Sequence, residues 1–193
     1  MKELSEHLRS QLLLIAKQSI LEGFKNGHPL IVNPHDEELQ ERRACFVTLE
    51  IEGNLRGCIG SLEAHQTLAQ NVSRNAFNAA FQDARFQPLT EDEFTQTDIE
   101  ISILTTPQEV SYASEEDLFR KLAPQVDGVI YEDGDNRSTF LPQVWKQLPT
   151  PREFMKQLKL KAGLGPGQSR PSAKIYRYQV EKFRSSSNQA AFS

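Results

Sequence analysis

The segment Leu55-Arg56-Gly57-Cys58-Ile59-Gly60 sets an arginine and a cysteine two positions apart between glycines. In a strand, residues two apart project from one face, so Arg56 and Cys58 are expected side by side. A guanidinium beside a thiol favours the thiolate, the form that attacks electrophiles. Gly57 and Gly60 remove bulk on either side and leave room for a ligand or another backbone. A buried structural cysteine fits the same hydrophobic strand, because unpaired cysteine is among the most buried residue types. The local pattern leaves catalytic and structural roles both open for Cys58, with Arg56 as its partner.

The other groups able to do chemistry are scattered. His65 lies seven residues beyond Cys58, between the strand and a helix, and is the one histidine near enough in sequence to serve as its base. Glu63 either shares that role or favours the N-terminus of the following helix. Arg85 follows a helix and precedes Pro88; it either caps the last carbonyls or binds an anion. Thr139 and Gln143 either support a hairpin end or bind a ligand in a groove between that hairpin and the first. Cys45 and Cys58 are thirteen residues apart, and His7, His28, His35 and His65 show no ligand spacing, so no metal is expected. Gly163, Gly165 and Gly167 follow a helix instead of opening one, so no phosphate cradle and no cofactor are expected.

The register of the signature hairpin bears on Cys58. Cys45, Val47, Leu49 and Ile51 alternate with Phe46, Thr48 and Glu50, which marks the first set as the core face. A three-residue turn, with Asn54 in the left-handed position, pairs Leu55 with Ile51 and Ile59 with Val47. It sets Arg56 opposite Glu50 and Cys58 opposite Thr48 on a polar face. Cys45 and Cys58 then face opposite sides, which rules out a disulfide between them.

Further segments make the chain recognisable: Ala84-Arg85-Phe86 with Pro88-Leu89, Ile99 to Leu104, Asp127-Gly128-Val129, Thr139 to Trp145 (TFLPQVW) and Leu158 to Leu164 (LKLKAGL). Together with LRGCIG they resemble the AMMECR domain family, in the family's order, over roughly residues 44 to 183. Ser61 departs from the threonine of many members but keeps the hydroxyl. The resemblance implies an α+β fold with a larger and a smaller lobe. Family members are often encoded beside a Memo-like protein and a radical SAM protein, which implies a shared pathway and those two partners. It implies no particular reaction. On the residues themselves, Cys58 and Arg56 are the catalytic candidates with His65 behind them. Gly57, Gly60, Ser61, Arg85, Thr139 and Gln143 are the candidate contacts of an unidentified small molecule. The alternative is an adaptor that binds a partner without chemistry.

An amphipathic helix runs from Glu3 to Phe24, ended by Gly27 and Pro29. A charged connector over Pro34 to Arg43 leads to the signature hairpin. Thr67 caps a helix to Asp83 whose Ala69, Val72, Ala76 and Ala80 form a small-residue face. Thr90 and Glu93 have capping-box spacing, Ile99, Ile101 and Ile103 mark a strand, and Ser114 to Leu122 is a short helix. Asp133 to Asn136 turn a second hairpin that pairs Glu132 with Arg137. Thr150, Pro151 and Glu153 open the last helix, and Lys174 to Phe183 is the final strand.

This order predicts an α+β fold, mainly antiparallel sheet with flanking helices, in two closely apposed lobes. Residues 1–184 are expected to form one domain and 185–193 a disordered tail. The chain of 193 residues carries a net charge of −4, against generic nucleic-acid binding. It shows no apolar stretch of membrane-spanning length and no signal peptide, which suggests the cytoplasm.

Overall fold

A computed structural model of the chain describes residues 4–165 and 173–185. Its elements in chain order are α1 (Glu6–Asn26), α2 (Glu37–Gln40), β1 (Cys45–Ile51), β2 (Asn54–Gly60), α3 (Leu68–Phe81), α4 (Glu91–Phe94), β3 (Thr97–Leu104), β4 (Gln108–Glu109), α5 (Glu115–Lys121), β5 (Gly128–Asp133), β6 (Asn136–Phe140), α6 (Pro151–Lys161), β7 (Lys174–Tyr178) and β8 (Val180–Ser185). The fold is α+β, with one four-stranded sheet in the order β2-β1-β3-β8 and another in the order β4-β7-β5-β6. The described residues fall into two compact units, one of residues 4–104 and 181–185, the other of residues 105–165 and 173–180.

In the first unit, one face of the β1–β3 ladder carries Cys45, Val47, Leu49, Ile99, Ile101 and Ile103, all buried. Leu12, Ala16 and Ile20 of α1 and Ala69, Val72, Ala76 and Ala80 of α3 complete that core. Helix α1 starts at Ser5, whose Oγ accepts the Leu8 N–H, and stops at Gly27 in the left-handed region, φ 75°. Its expected first residue, Glu3, lies outside the described residues. Helix α3 opens on the full capping box of Thr67 and Gln70. A helix that presents small residues packs close to a sheet, and α3 does so to the limit. A Cβ added at Gly57 would lie 2.1 Å from the Ala79 carbonyl oxygen. The room that glycine provides in β2 is therefore taken by another backbone. Gly60 is likewise covered, by the Phe46 ring at 2.4 Å from its would-be Cβ.

The signature hairpin follows the expected register over only half its length. Ile59 pairs with Val47, Cys58 with Thr48 and Gly57 with Leu49. Nearer the turn, Leu55 pairs with Glu50 and Asn54 with Ile51, so Arg56 is an extra, bulged residue. The turn is a two-residue one: Glu52 (φ 51°) and Gly53 (φ 75°) hold the two left-handed positions that such a loop demands. Asn54 does not take that role. The expected pairings of Leu55 with Ile51 and Arg56 with Glu50 are thus incorrect. Leu55 is 44% exposed, and Glu50 pairs with Arg184 of β8 at 2.9 Å.

The second unit buries Trp145 against Phe154, ring centroids 3.8 Å apart and nearly parallel, with the indole N–H donated to the Asp127 carbonyl. Glu132 pairs with Arg137 as expected, around a Gly134-Asp135 turn. The single final strand expected over Lys174 to Phe183 is instead two strands in different sheets. The break falls at Gln179, where Thr105 accepts the Gln179 N–H through Oγ1 and donates its own N–H to the Gln179 carbonyl. Ile175 faces the core of this unit, while Tyr176 and Tyr178 pair across β5 with Ile130 and Gly128. Ser185, read as the start of a tail, closes β8; the rest of that expected tail lies outside the described residues.

Replacing Gly57 with alanine forces a methyl group into the α3 backbone, which cannot give as a side chain would. The expected loss of stability in urea-induced unfolding is about 3 kcal/mol. Gly53→Ala, where nothing lies within 4 Å, is expected to cost about 1 kcal/mol, from its positive φ alone.

Candidate functional site

Cys58 sits on the face of the first sheet that turns away from the α1–α3 core, half-buried. Thr48, its cross-strand neighbour, donates from Oγ1 to the Cys58 sulfur at 3.3 Å. The backbone of Cys58 is gripped from the other side. Its N–H donates to Asp83 Oδ2 at 2.9 Å, and its carbonyl accepts from Arg85 Nη2 at 3.2 Å. Arg85 also forks onto Asp83, Nε to Oδ1 at 3.0 Å and Nη2 to Oδ2 at 2.7 Å. This carboxylate–guanidinium pair at the end of α3 does for β2 what a neighbouring strand would do. It satisfies one donor and one acceptor that the outer edge of the sheet leaves open.

Asp83 is buried, yet its carboxyl is held well below the usual range, first by the hydrogen bond from Arg85 and then by the N–H groups of Cys58 and Arg85. Arg85 is correspondingly shifted up by Asp83. A carboxylate held ionised and already accepting these bonds is a poor base. Arg85 neither caps α3 nor stands free: it organises the Cys58 strand, with Nη1 the one nitrogen of its guanidinium making no hydrogen bond among the described residues.

Arg56 is aimed elsewhere by the bulge. It forms a two-pronged pair with Glu93, Nε to Oε1 and Nη2 to Oε2, both at 3.0 Å. Glu93 is fixed in turn as the third residue of the α4 capping box with Thr90. Its carboxyl is pulled down to about 2, chiefly by the Arg56 hydrogen bond and then by the Thr90 N–H. The fork fixes Arg56 against α4, so the thiolate-promoting role expected of it is not the contact the structure shows. Both guanidiniums lie over the Phe86 ring, their central carbons 5.8 Å (Arg56) and 5.5 Å (Arg85) from its centroid.

The remaining candidates fall as follows. His65 is 72% exposed at its side chain and pairs with Glu63 at 2.9 Å. Among the described residues no histidine hydrogen-bonds Cys58. Ser61 donates its N–H to the Cys45 carbonyl, and its Oγ accepts the Glu63 N–H. Thr139 belongs to the second unit, where its hydroxyl meets Tyr178 Oη at 3.2 Å. Gln143 is exposed in the short 3-10 turn Pro142–Lys146 of that unit. Cys45 is fully buried, its thiol pushed up to about 12 by loss of hydration. The described residues hold no cluster of three or more metal-ligating side chains.

Sequence reasoning missed Asp83, Phe86 and Glu93 as parts of the site. Asp83 carried a signal, an acidic residue two positions before an arginine at a helix end. Glu93 was legible only as a cap.

A family model described as AMMECR1 matches residues 13–183. A protein of Methanothermobacter thermautotrophicus is 36% identical over 176 residues, which cover 89% of this chain and 91% of the relative. A protein of Thermofilum pendens is 35% identical over 201 residues, covering 95% and 92%. The crystal structure of an uncharacterized protein from Pyrococcus horikoshii matches with a TM-score of 0.75 at 30% identity, over 94% of this chain and 93% of that one.

Two expectations follow from the site. In the native protein iodoacetamide should label Cys58 and leave Cys45 untouched until unfolding, as read by peptide mass mapping. Equal resistance of both thiols would mean that the Cys58 face is closed. Because Asp83 and Glu93 are depressed in the folded state, their stabilisation is complete above the ordinary carboxylate range and is lost on acidification. Unfolding free energy should be level above about pH 5 and fall steadily toward pH 2. Asp83→Asn should be less stable at neutral pH and should lose less on acidification.

Proposed function

The chain belongs to the AMMECR1 family, and on that footing we propose that it binds a small molecule on the Cys58 face, as a component of a pathway. The carrying observation is the way the polar groups around Cys58 are used. Arg56 is committed to Glu93, and Asp83 to Arg85 and the Cys58 N–H. Among the described residues the thiol's hydrogen-bond partner is Thr48, which donates to it and is no base. A nucleophilic cysteine needs a base or a cation dedicated to the thiolate. A recognition surface needs the opposite, side chains locked before the ligand arrives. Cys58 and the free Nη1 of Arg85 are then the contacts for an anionic or polarised group, with the Phe86 ring beside them.

A Memo-like or radical SAM protein is the partner that would supply or receive such a molecule. No helix among the described residues is long and apolar enough to cross a membrane. Two unpaired cysteines suit a reducing compartment, and the cytoplasm is the proposed location. Catalysis by the thiol is the rival reading; it requires the ligand or a partner to bring the base.

Native mass spectrometry of the protein after incubation with a metabolite extract separates the two. Binding predicts a retained small-molecule mass that Cys58→Ser weakens by about tenfold, the scale of one lost polar contact, with no substrate consumed. Consumption of a metabolite that Cys58→Ser abolishes, in a folded variant, would establish catalysis instead. Neither retention nor consumption, with and without the two partner proteins, would overturn the small-molecule reading.

A further inference from the structure

We propose that a second site, the cleft between α3 and the segment Pro29–Pro34, binds an extended peptide that carries an acidic side chain. The cleft has a volume of about 460 Å³ and is lined by residues of the first unit alone, within the range of clefts that hold ligands. It shares α3 with the Cys58 face but no lining residue, so it stands independently of the small-molecule reading.

One wall is a row of side chains on α3. Gln70, Arg74 and Asn78 recur at every fourth residue, and Gln82 continues the row past the helix end. On a helix this spacing stacks them along one face about 6 Å apart. An extended chain repeats every second residue at about 6.6 Å, so successive side chains of the row stay close to register with alternate residues of a peptide. The carboxamides of Asn78 and Gln82 can both donate and accept, and so pair with the N–H and C=O of a peptide unit together; the Gln70 oxygen already accepts the Thr67 N–H.

The other wall is the segment Leu30-Ile31-Val32-Asn33, bracketed by Pro29 and Pro34 and outside every helix and strand. Leu30 is tied down at both backbone groups: its N–H donates to Ser19 Oγ, and its carbonyl accepts from Ser73 Oγ of α3. Beyond that anchor, the backbone N–H and C=O groups of Ile31, Val32 and Asn33 have no hydrogen-bond partner among the described residues. Ile31 is 82% exposed, a β-branched apolar side chain left in water. A segment anchored at Leu30, with unpaired backbone groups beyond the anchor, offers those groups to an added extended chain.

Charge gives the peptide its character. Arg74 is the one charged side chain lining the cleft and has no ion-pair partner among the described residues. The preference is therefore for Asp or Glu at the position that reaches it.

The test is a positional-scanning library of N-acetylated, C-amidated hexapeptides, with binding to the full chain followed by fluorescence polarisation. The expected result is enrichment of Asp or Glu at one position. Arg74→Glu should weaken the selected peptide about tenfold or more at low salt and move the preference toward Lys or Arg. Asn78→Ala should weaken it about three- to tenfold. N-methylation of alternate peptide amides should abolish binding, and amide hydrogen exchange at Ile31 to Asn33 should slow on saturation. Absence of enrichment, equal affinity for Arg74→Glu, tolerance of N-methylation, or unchanged exchange at Ile31 to Asn33 would each overturn the proposal. Self-association that excludes the peptides would assign the cleft to a second copy of the chain and overturn it too. Neither substituted side chain forms a hydrogen bond or ion pair within the described residues, so thermal unfolding should be unchanged in both variants.

Discussion

Helix α3 can lie at backbone distance from β2 only because Gly57 has no side chain and the helix turns alanines toward the sheet. Much else in the first unit follows from that approach. With its small residues committed to the sheet, the helix spends its buried polar groups as fixings. Asn75 donates to the Cys45 carbonyl, Asn71 to the Arg43 carbonyl, and Ser73 ties Leu30 to Ser19. Of its outward row, Gln70 serves the Thr67 cap, while the Arg74 and Asn78 side chains face the cleft without a hydrogen bond or ion pair among the described residues. Where α3 stops also decides where Asp83 falls, and hence that a carboxylate rather than a strand satisfies the Cys58 N–H.

The Cys58 face combines two like-built pairs of opposite charge, Asp83 with Arg85 and Glu93 with Arg56. The members sum to zero charge, and both guanidinium carbons lie within 6 Å of the centroid of the Phe86 ring. Such an arrangement fixes geometry more than it creates field. Each arginine is held as a planar fork, which a lysine would not reproduce. The bulge at Arg56 is what divides the labour. Without the extra residue, Arg56 would stand opposite Glu50 on the ladder. With it, Glu50 is left to Arg184, and Arg56 reaches α4.

The fold class, the order of elements and the helix caps were legible in the chain because each rests on short-range causes. The Thr67, Thr90 and Thr150 caps, the alternation of Ile99, Ile101 and Ile103, and the small-residue face of α3 depend on neighbours within a few residues. The register of Cys58 was legible too, since burying Val47 and Leu49 permits no slip. The bulge was not, because a three-residue turn and a two-residue turn with one inserted residue produce the same register beyond Gly57. The division of the last strand at Gln179 was equally hidden. It depends on Thr105, distant in sequence, taking both backbone bonds that a continuing strand would use.

Which residues could form a polar face around a thiol, with the thiol on it, was readable from the chain, because alternation along a strand is a local property. What each of those groups is for came from partners that the fold brings in. Whether Arg56 serves Cys58 or Glu93, whether Gly57 admits a ligand or a helix, and whether Arg85 caps α3 or braces β2 all turn on partners 20 to 40 residues away. Hydrogen bonds and close packing are won by whichever group arrives in place, and arrival is set by the fold as a whole.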